Sequence, residues 1–224
     1  MNAKWILQSL VWLVAMGALL FAPAGTLHWP AAWVFLATMA VISIATGWWL
    51  ARTDPGLLAE RMRIAGGQDQ PVADKIFMLA IGTVFLLWQV TMGLEYRIRG
   101  SDFPLSLQAL GLAMLLLSTL FIIWVMHENS FAAPVVKVQR ERGHRVISTG
   151  SYAWVRHPMY SGAIPFCVGI PLLLGSWWGL LISPIFAVLF NLRARIEERE
   201  LIAGLPGYSE YTTRVRYRLL PGIW

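Results

Sequence analysis

The strongest constraint on this chain is a series of apolar runs too long and too poor in charge for a water-soluble core. Trp5–Phe21, Ala31–Leu50, Ile76–Leu94 and Leu105–Met126 are nearly uninterrupted hydrophobic sequence. Each approaches the ~20 residues a helix needs to cross about 30 Å of hydrocarbon. Charged residues make up 13% of the chain, about half the usual share in a soluble domain. The expectation is an all-α polytopic membrane protein. Lys4 before the first run resembles the start of a signal peptide, but no small-residue cleavage site follows and further spans do. It reads as a retained first span.

The connections differ in character. AGTLHWP is a short turn in which His28 and Trp29 suit an interfacial belt, and His28 is given no function. Ala51–Lys75 is a polar loop holding DPGLLAERMR, which reads as an amphipathic helix on the headgroups, and a flexible Gly66-Gly67. In the fourth span Gly111 and Ala113 offer a close approach to another backbone or to a flat ligand, and helix packing explains them equally well. His127–Arg156 is a long polar connector. The run Tyr160–Phe190 is too long for one span and short of two, and Pro165, Pro171, Gly175-Ser176 and Pro184 interrupt it. With Trp177 and Trp178 beside it, Gly175-Ser176 reads as an interfacial turn. The fold expected is four spans plus a C-terminal transmembrane helical hairpin, whose second arm runs on as a cytoplasmic helix through Arg193–Ile202.

Basic residues set the orientation. Lys4, Arg52, Arg61, Arg63, Lys75, Lys137, Arg140, Arg142, Arg145, Arg156 and those of the C-terminal segment fall on one face, and Arg97 and Arg99 on the other. The positive-inside rule then makes both termini and both long loops cytoplasmic. In such a protein a net charge of +6 reflects orientation and anionic headgroups rather than nucleic acid. The single cysteine, Cys167, lies in an apolar run and reads as a small buried hydrophobe, so neither a disulfide framework nor a metal site is expected.

Against this background GSYAWVRHPMYSG (Gly150–Gly162) stands out, because Arg156, His157 and Tyr160 sit at the mouth of an apolar segment. Uncompensated polar groups there are costly and point to function. On a helix, Arg193 and Glu197 are spaced i,i+4 and share a face. A solvated helix end with intrahelical ion pairs would account for them alone. The concentration of Gln139, His144, Arg145, Tyr152, Arg156, His157, Tyr160, Arg193, Glu197 and Glu198 in a chain that otherwise avoids charge favours a pocket for a charged small molecule. That pocket is cytoplasmic, formed by loop 127–156 and the C-terminal segment.

GSYAWVRHPMYSG, then RARIEERELI, then YSEYTTRVRYRLLP resembles the isoprenylcysteine carboxyl methyltransferase family, and the related phospholipid methyltransferases share an Arg-His-Pro…Glu-Glu pattern. The resemblance implies an integral-membrane methyltransferase using S-adenosyl-L-methionine, with S-adenosyl-L-homocysteine as product and no Rossmann domain. It implies one domain over residues 1–224, with 1–126 a four-span scaffold and 127–224 the catalytic core. Carried over by motif, Gln139, His144, Arg145, Val146, Ile147, Tyr152, His157, Pro158, Met159, Tyr160 and Glu197 would bind the cofactor, and Arg193 would face the acceptor. Where the phospholipid enzymes have a GxG in the preceding span, this chain has Gly111-Leu112-Ala113.

The residue types suit that chemistry. Glu197 fits an ammonium, and His157 or a backbone N–H a carboxylate. A carboxylate acceptor needs only an anchor, for which Arg193 is suited. An amine or hydroxyl acceptor needs a base, for which His157 or Glu198 are candidates. The acceptor is expected to be lipophilic and to arrive from the bilayer, most simply a carboxylate of the isoprenylcysteine type, with membrane lipids as surroundings and the bacterial inner membrane as one location. The alternatives are a phospholipid or amine N-methyltransferase, an NADPH-dependent sterol-type reductase with an RHPNY-like segment, and a small transporter or assembly factor. Met159 at the third motif position speaks against the reductase, and the four spans offer transport no charged pathway.

Overall fold

The computed structural model describes residues 3–63, 70–100 and 102–223. Gly66-Gly67 lies outside the described residues. Among the described residues there is no strand. The chain runs through α1 (Ala3–Ala24), α2 (Pro30–Thr53), α3 (Pro55–Arg61), α4 (Val72–Arg99), α5 (Leu105–Glu128), α6 (Pro158–Leu174), α7 (Trp177–Ile182), α8 (Pro184–Gly204) and α9 (Tyr208–Arg214). Among the described residues, α1, α2, α4, α5 and the stretch Trp177–Gly204 are long and apolar enough to cross a membrane. The 22 residues of α1 span about 33 Å at 1.5 Å per residue. Leu7, Val11, Val14, Val41, Leu79 and Leu117 are exposed on these helices, as lipid-facing residues must be. The protein is a multi-pass integral membrane protein.

The interior is filled by large side chains from several helices. Trp29, Trp88, Phe35, Phe186, Met92 and Leu20 form one buried cluster with Leu115, Ile170 and Leu174. Trp29 corrects the sequence reading. It is 2% exposed, stacks on Tyr96 at 4.4 Å and donates Nε1–H to the Leu174 carbonyl at 3.3 Å. An indole whose one donor finds a partner gains more from packing than from an interface. His28 beside it is exposed.

Helices α5 and α6 pack with their backbones nearly touching. A Cβ at Gly111 would collide with the Leu173 backbone nitrogen and lie 2.7 Å from the Gly169 carbonyl, and one at Gly169 would lie 2.9 Å from the Gly111 carbonyl. Gly111 is therefore a packing position, whereas Ala113 faces outward. Pro171 in α6 removes the N–H that would bond the Cys167 carbonyl. Ser183 Oγ lies 3.0 Å from that carbonyl and can donate to it, so a neighbouring helix offsets the loss.

α6 ends at Gly175, whose φ of 74° is left-handed and therefore suits glycine. Buried Glu95 of α4 then caps α7, accepting from Trp177 N (3.2 Å), Trp178 N (2.9 Å) and Ser176 Oγ (2.5 Å). A carboxylate at a helix N-terminus satisfies orphan N–H groups and the helix dipole together.

Two further differences bear on the site. α3, expected as a surface helix, buries Leu57 and Leu58 against Leu50 and Met126. Asp54 caps it, accepting from Leu57 N at 2.8 Å. α4 begins at Val72 rather than Ile76 and so carries fully buried Asp74 in its first turn.

Candidate active site

One end of the bundle holds a cavity of about 290 Å³. Its walls come from α3 and α4, the connector between α5 and α6, the start of α6, α8 and α9. That volume is near the lower end of the ~300–1,000 Å³ typical of small-molecule sites.

The RHPMY segment is pinned by the C-terminal tail. Arg156 N donates to the Tyr217 carbonyl at 2.9 Å and His157 N to that of Arg218 at 3.0 Å. Ser161 Oγ lies 2.5 Å from the Leu219 carbonyl. Pro158 starts α6 at a position whose N–H would be orphaned in any case. Beneath this clamp sits an ion cluster centred on Glu198. Its Oε1 accepts from Arg156 Nε at 2.6 Å, and its Oε2 accepts from Arg218 Nε (3.0 Å) and Nη2 (2.8 Å). His157 Nε2 lies 3.2 Å from Glu198, and its Nδ1 3.6 Å from Glu197. Burial alone would favour the neutral imidazole, but the hydrogen bonds and charges of Glu197 and Glu198 outweigh it and raise the His157 pKa. His157 thus lies between two glutamates that favour its charged form.

Glu197 faces the cavity. Its Oε2 accepts from Tyr160 Oη at 2.8 Å, and Tyr160 Oη in turn accepts from Arg193 Nε at 2.9 Å. The Arg193 guanidinium also donates to the Pro134 carbonyl and contacts the Met78 sulfur. Asp74 lies 3.4 Å from its Nη1 and ties the connector to α4 by accepting from Val136 N at 3.1 Å. The polar chain Glu197–Tyr160–Arg193 thus runs from the connector toward the membrane helices, where Met78, Ile81 and Phe190 line the cavity.

The connector supplies another wall. His144 stacks on Phe131 at 4.5 Å and accepts at Nδ1 from Gln139 N at 3.3 Å. Burial lowers its pKa, so the neutral ring keeps Nε2–H as a donor. Tyr152 Oη accepts from Asn129 Nδ2 at 2.8 Å, and burial raises its pKa. Leu201, Leu205, Tyr208 and Tyr211 pack with Val146 at the apolar end. There the Tyr208 hydroxyl is buried without a hydrogen-bond partner among the described residues, a cost relieved only by a ligand or water.

Among the residues expected from sequence, His144, Arg145, Val146, Ile147, Tyr152, His157, Met159, Tyr160, Arg193 and Glu197 line this one cavity. Gln139, Pro158 and Glu198 lie behind the wall. Gln139 is buried, donating Nε2–H to the Phe131 carbonyl at 2.8 Å and accepting from Arg142 at 2.6 Å. Sequence reasoning missed Arg61, Met78, Phe131, Phe190 and Asp74 as site residues. Arg61, Asp74 and Met78 come from stretches distant in the chain, whereas Phe131 and Phe190 lie beside expected site residues but are apolar and so carry no polar signal.

Residues 107–205 match the phospholipid methyltransferase family. The protein-S-isoprenylcysteine O-methyltransferases of Saccharomyces cerevisiae and Schizosaccharomyces pombe are 38% and 32% identical over 84 and 83 residues. These stretches cover 36% of this chain and 35% of each relative. A solved eukaryotic intramembrane Ras methyltransferase, isoprenylcysteine carboxyl methyltransferase, superposes with a TM-score of 0.63. It covers 93% of this chain and 74% of the solved one, at 18% identity. The resemblance to the isoprenylcysteine carboxyl methyltransferase family holds. The family match falls on the segment that builds most of the cavity wall, and the structural match extends the same fold over the remaining helices.

Proposed function

We propose that this protein is an integral-membrane methyltransferase using S-adenosyl-L-methionine and a lipophilic acceptor, most simply a carboxylate of the isoprenylcysteine type. The observation that carries the reading is a single cavity joining a polar wall, Glu197, Tyr160 and His144, to an apolar wall from α4 and α8. Such a site suits one water-soluble and one membrane-borne reactant. The donor fits the residues present. Glu197 suits its ammonium, the enclosure around Val146, Leu201, Leu205 and Tyr211 suits its flat adenine, and the orphaned Tyr208 hydroxyl awaits a polar partner. When bound, the donor supplies an electrophilic methyl group on a sulfonium.

The protein's part is placement. Arg193 is held by Tyr160 and Asp74, so it orients an acceptor carboxylate with little loss of its own freedom. In-line displacement gains up to about 7–11 kcal/mol from such alignment. A carboxylate needs no base, and none is assigned. The ordering of the chain follows as one domain, 1–126 a four-span scaffold and 127–224 the donor-binding core. Both termini and the cavity face the cytoplasm, because the basic loops lie on that side.

The test is thermal stability of the purified protein with S-adenosylhomocysteine and, separately, NADPH. Ligand at 100 times its Kd stabilises by about 2.7 kcal/mol. A shift with S-adenosylhomocysteine alone is expected, and a shift with NADPH alone would refute the methyltransferase reading.

A further inference from the structure

The cations around the cavity differ in whether the protein neutralises them. Lys137 lies 3.0 Å from Glu60 and 3.3 Å from Glu141, Arg156 2.6 Å from Glu198, and Arg193 3.4 Å from Asp74. His157 sits between its two glutamates. Arg145 is exposed, so water solvates it.

Arg61 is the exception. It is the last residue of α3 and lines the cavity. Among the described residues it has no carboxylate within ion-pair distance. Its Nη1 donates to the Ala132 carbonyl at 3.0 Å and lies 4.0 Å from the Met159 sulfur, and its other N–H groups have no partner among the described residues. Arg61 is half-buried, and burial lowers its pKa. A guanidinium presents five donors, well matched to a carboxylate's two oxygens. An enclosed charge facing a cavity without a counter-ion is costly until a ligand brings one.

The position is built rather than incidental. Buried Leu57 and Leu58 anchor α3, and Asp54 fixes its start. Ala132 and Pro134, the carbonyls that Arg61 and Arg193 respectively hold, are neighbours in the connector. The two arginines therefore flank the same strip of wall, one with its own aspartate and one without.

We propose that Arg61 is a carboxylate-binding residue of this site, the cation that the protein leaves for its ligand to neutralise. The proposal rests on the methyltransferase reading, in which a carboxylate has two sources, the amino-acid end of the nucleoside cofactor and the acceptor. His157 is already paired with two glutamates and Arg193 with Asp74, so half-buried Arg61 is the cation on the cavity wall to which, among the described residues, the protein supplies no carboxylate.

The test uses the full chain in detergent as wild type, Arg61→Gln and Arg61→Lys. Calorimetric titration with S-adenosylhomocysteine is compared with 5′-methylthioadenosine, which lacks the carboxylate. Kinetics with an S-prenylated N-acetylcysteine are compared with inhibition by its methyl ester. Loss of a charge-assisted bidentate contact weakens binding by about 10- to 100-fold. If Arg61→Gln weakens S-adenosylhomocysteine by that factor and spares methylthioadenosine, the cofactor is the carboxylate source. If cofactor affinity holds while KM for the acid rises and inhibition by the ester does not change, the source is the acceptor. Partial recovery in Arg61→Lys is expected in either case. Unchanged affinities for both carboxylates overturn the proposal, as does equal weakening of carboxylate and carboxylate-free ligands, which marks a structural role. A wild type that binds no S-adenosylhomocysteine refutes the underlying reading, and the proposal falls with it.

Discussion

Replacing Glu198 with Gln separates a structural carboxylate from a catalytic one. In the folded protein Glu198 is the shared partner of Arg156, Arg218 and His157, and its side chain is 9% exposed. Arg156 is 10% exposed, so it cannot recover its lost partner from water, whereas Arg218 at 20% can do so in part. Removing one member of a buried ion pair costs about 3–5 kcal/mol. Relaxation of Arg218 and the remaining acceptor oxygen of glutamine place the expected cost near the lower end, about 3 kcal/mol. For a chain of this size each kcal/mol moves the midpoint by about 2–4 °C, so a fall of roughly 6–12 °C follows. The assay is thermal unfolding in detergent followed by tryptophan fluorescence, scanned at one rate for both proteins. Because Glu198 also holds the arginine that grips the tail carbonyls of Val215 and Arg216, proteolysis of the C-terminal segment should accelerate in the variant. A midpoint within about 2 °C of wild type, less than 1 kcal/mol on that scale, would refute the ion-cluster argument. Loss of turnover at unchanged stability would return Glu198 to a role as base.

Other substitutions report on different parts of the structure. Glu197→Gln keeps an acceptor for Tyr160 but removes the charge facing the cavity, so S-adenosylhomocysteine affinity should fall at least about tenfold, measured by calorimetry, while the midpoint falls less than in Glu198→Gln because the Glu197 side chain is 31% exposed. The His157 pKa is raised on folding, so its contribution to stability is complete below the unfolded value of about 6.5 and is lost as pH rises through the folded value. Midpoints should therefore decline on the alkaline side, and a pH series on His157→Asn should lack that component of the decline. Gly111→Ala forces α5 away from α6 and should cost about 1–3 kcal/mol in thermal unfolding. Exposed Ala113→Leu serves as the control and should be near neutral.

Much of the site was legible because a family-like motif keeps its residues close in sequence. The connector His144–Tyr152 and the segment His157–Tyr160 are continuous stretches, and the i,i+4 pair Arg193 and Glu197 needs only a helix to share a face. What could not be read was which of these polar groups remain available to a ligand. His157 and Glu198 look equally suited to chemistry in sequence, yet Glu198 is taken up by His157, Arg156 and Arg218. Arg61 looked like one more orienting charge in a loop, and only the burial of Leu57 and Leu58 turns α3 so that it reaches the cavity.

The sequence alone determined the class of solvent and the class of secondary structure. Apolar runs of membrane length leave helices to satisfy the backbone internally, and that needs no knowledge of neighbours. Tertiary structure decided everything that depends on pairing across distance. It assigned Gly111 to helix contact, placed Trp29 in the core, gave Asp74 to Arg193 and left Arg61 without a counter-ion among the described residues. Those outcomes rest on electrostatic and packing balances between segments far apart in the chain, and a charge carries no sign in the sequence of whether another will meet it.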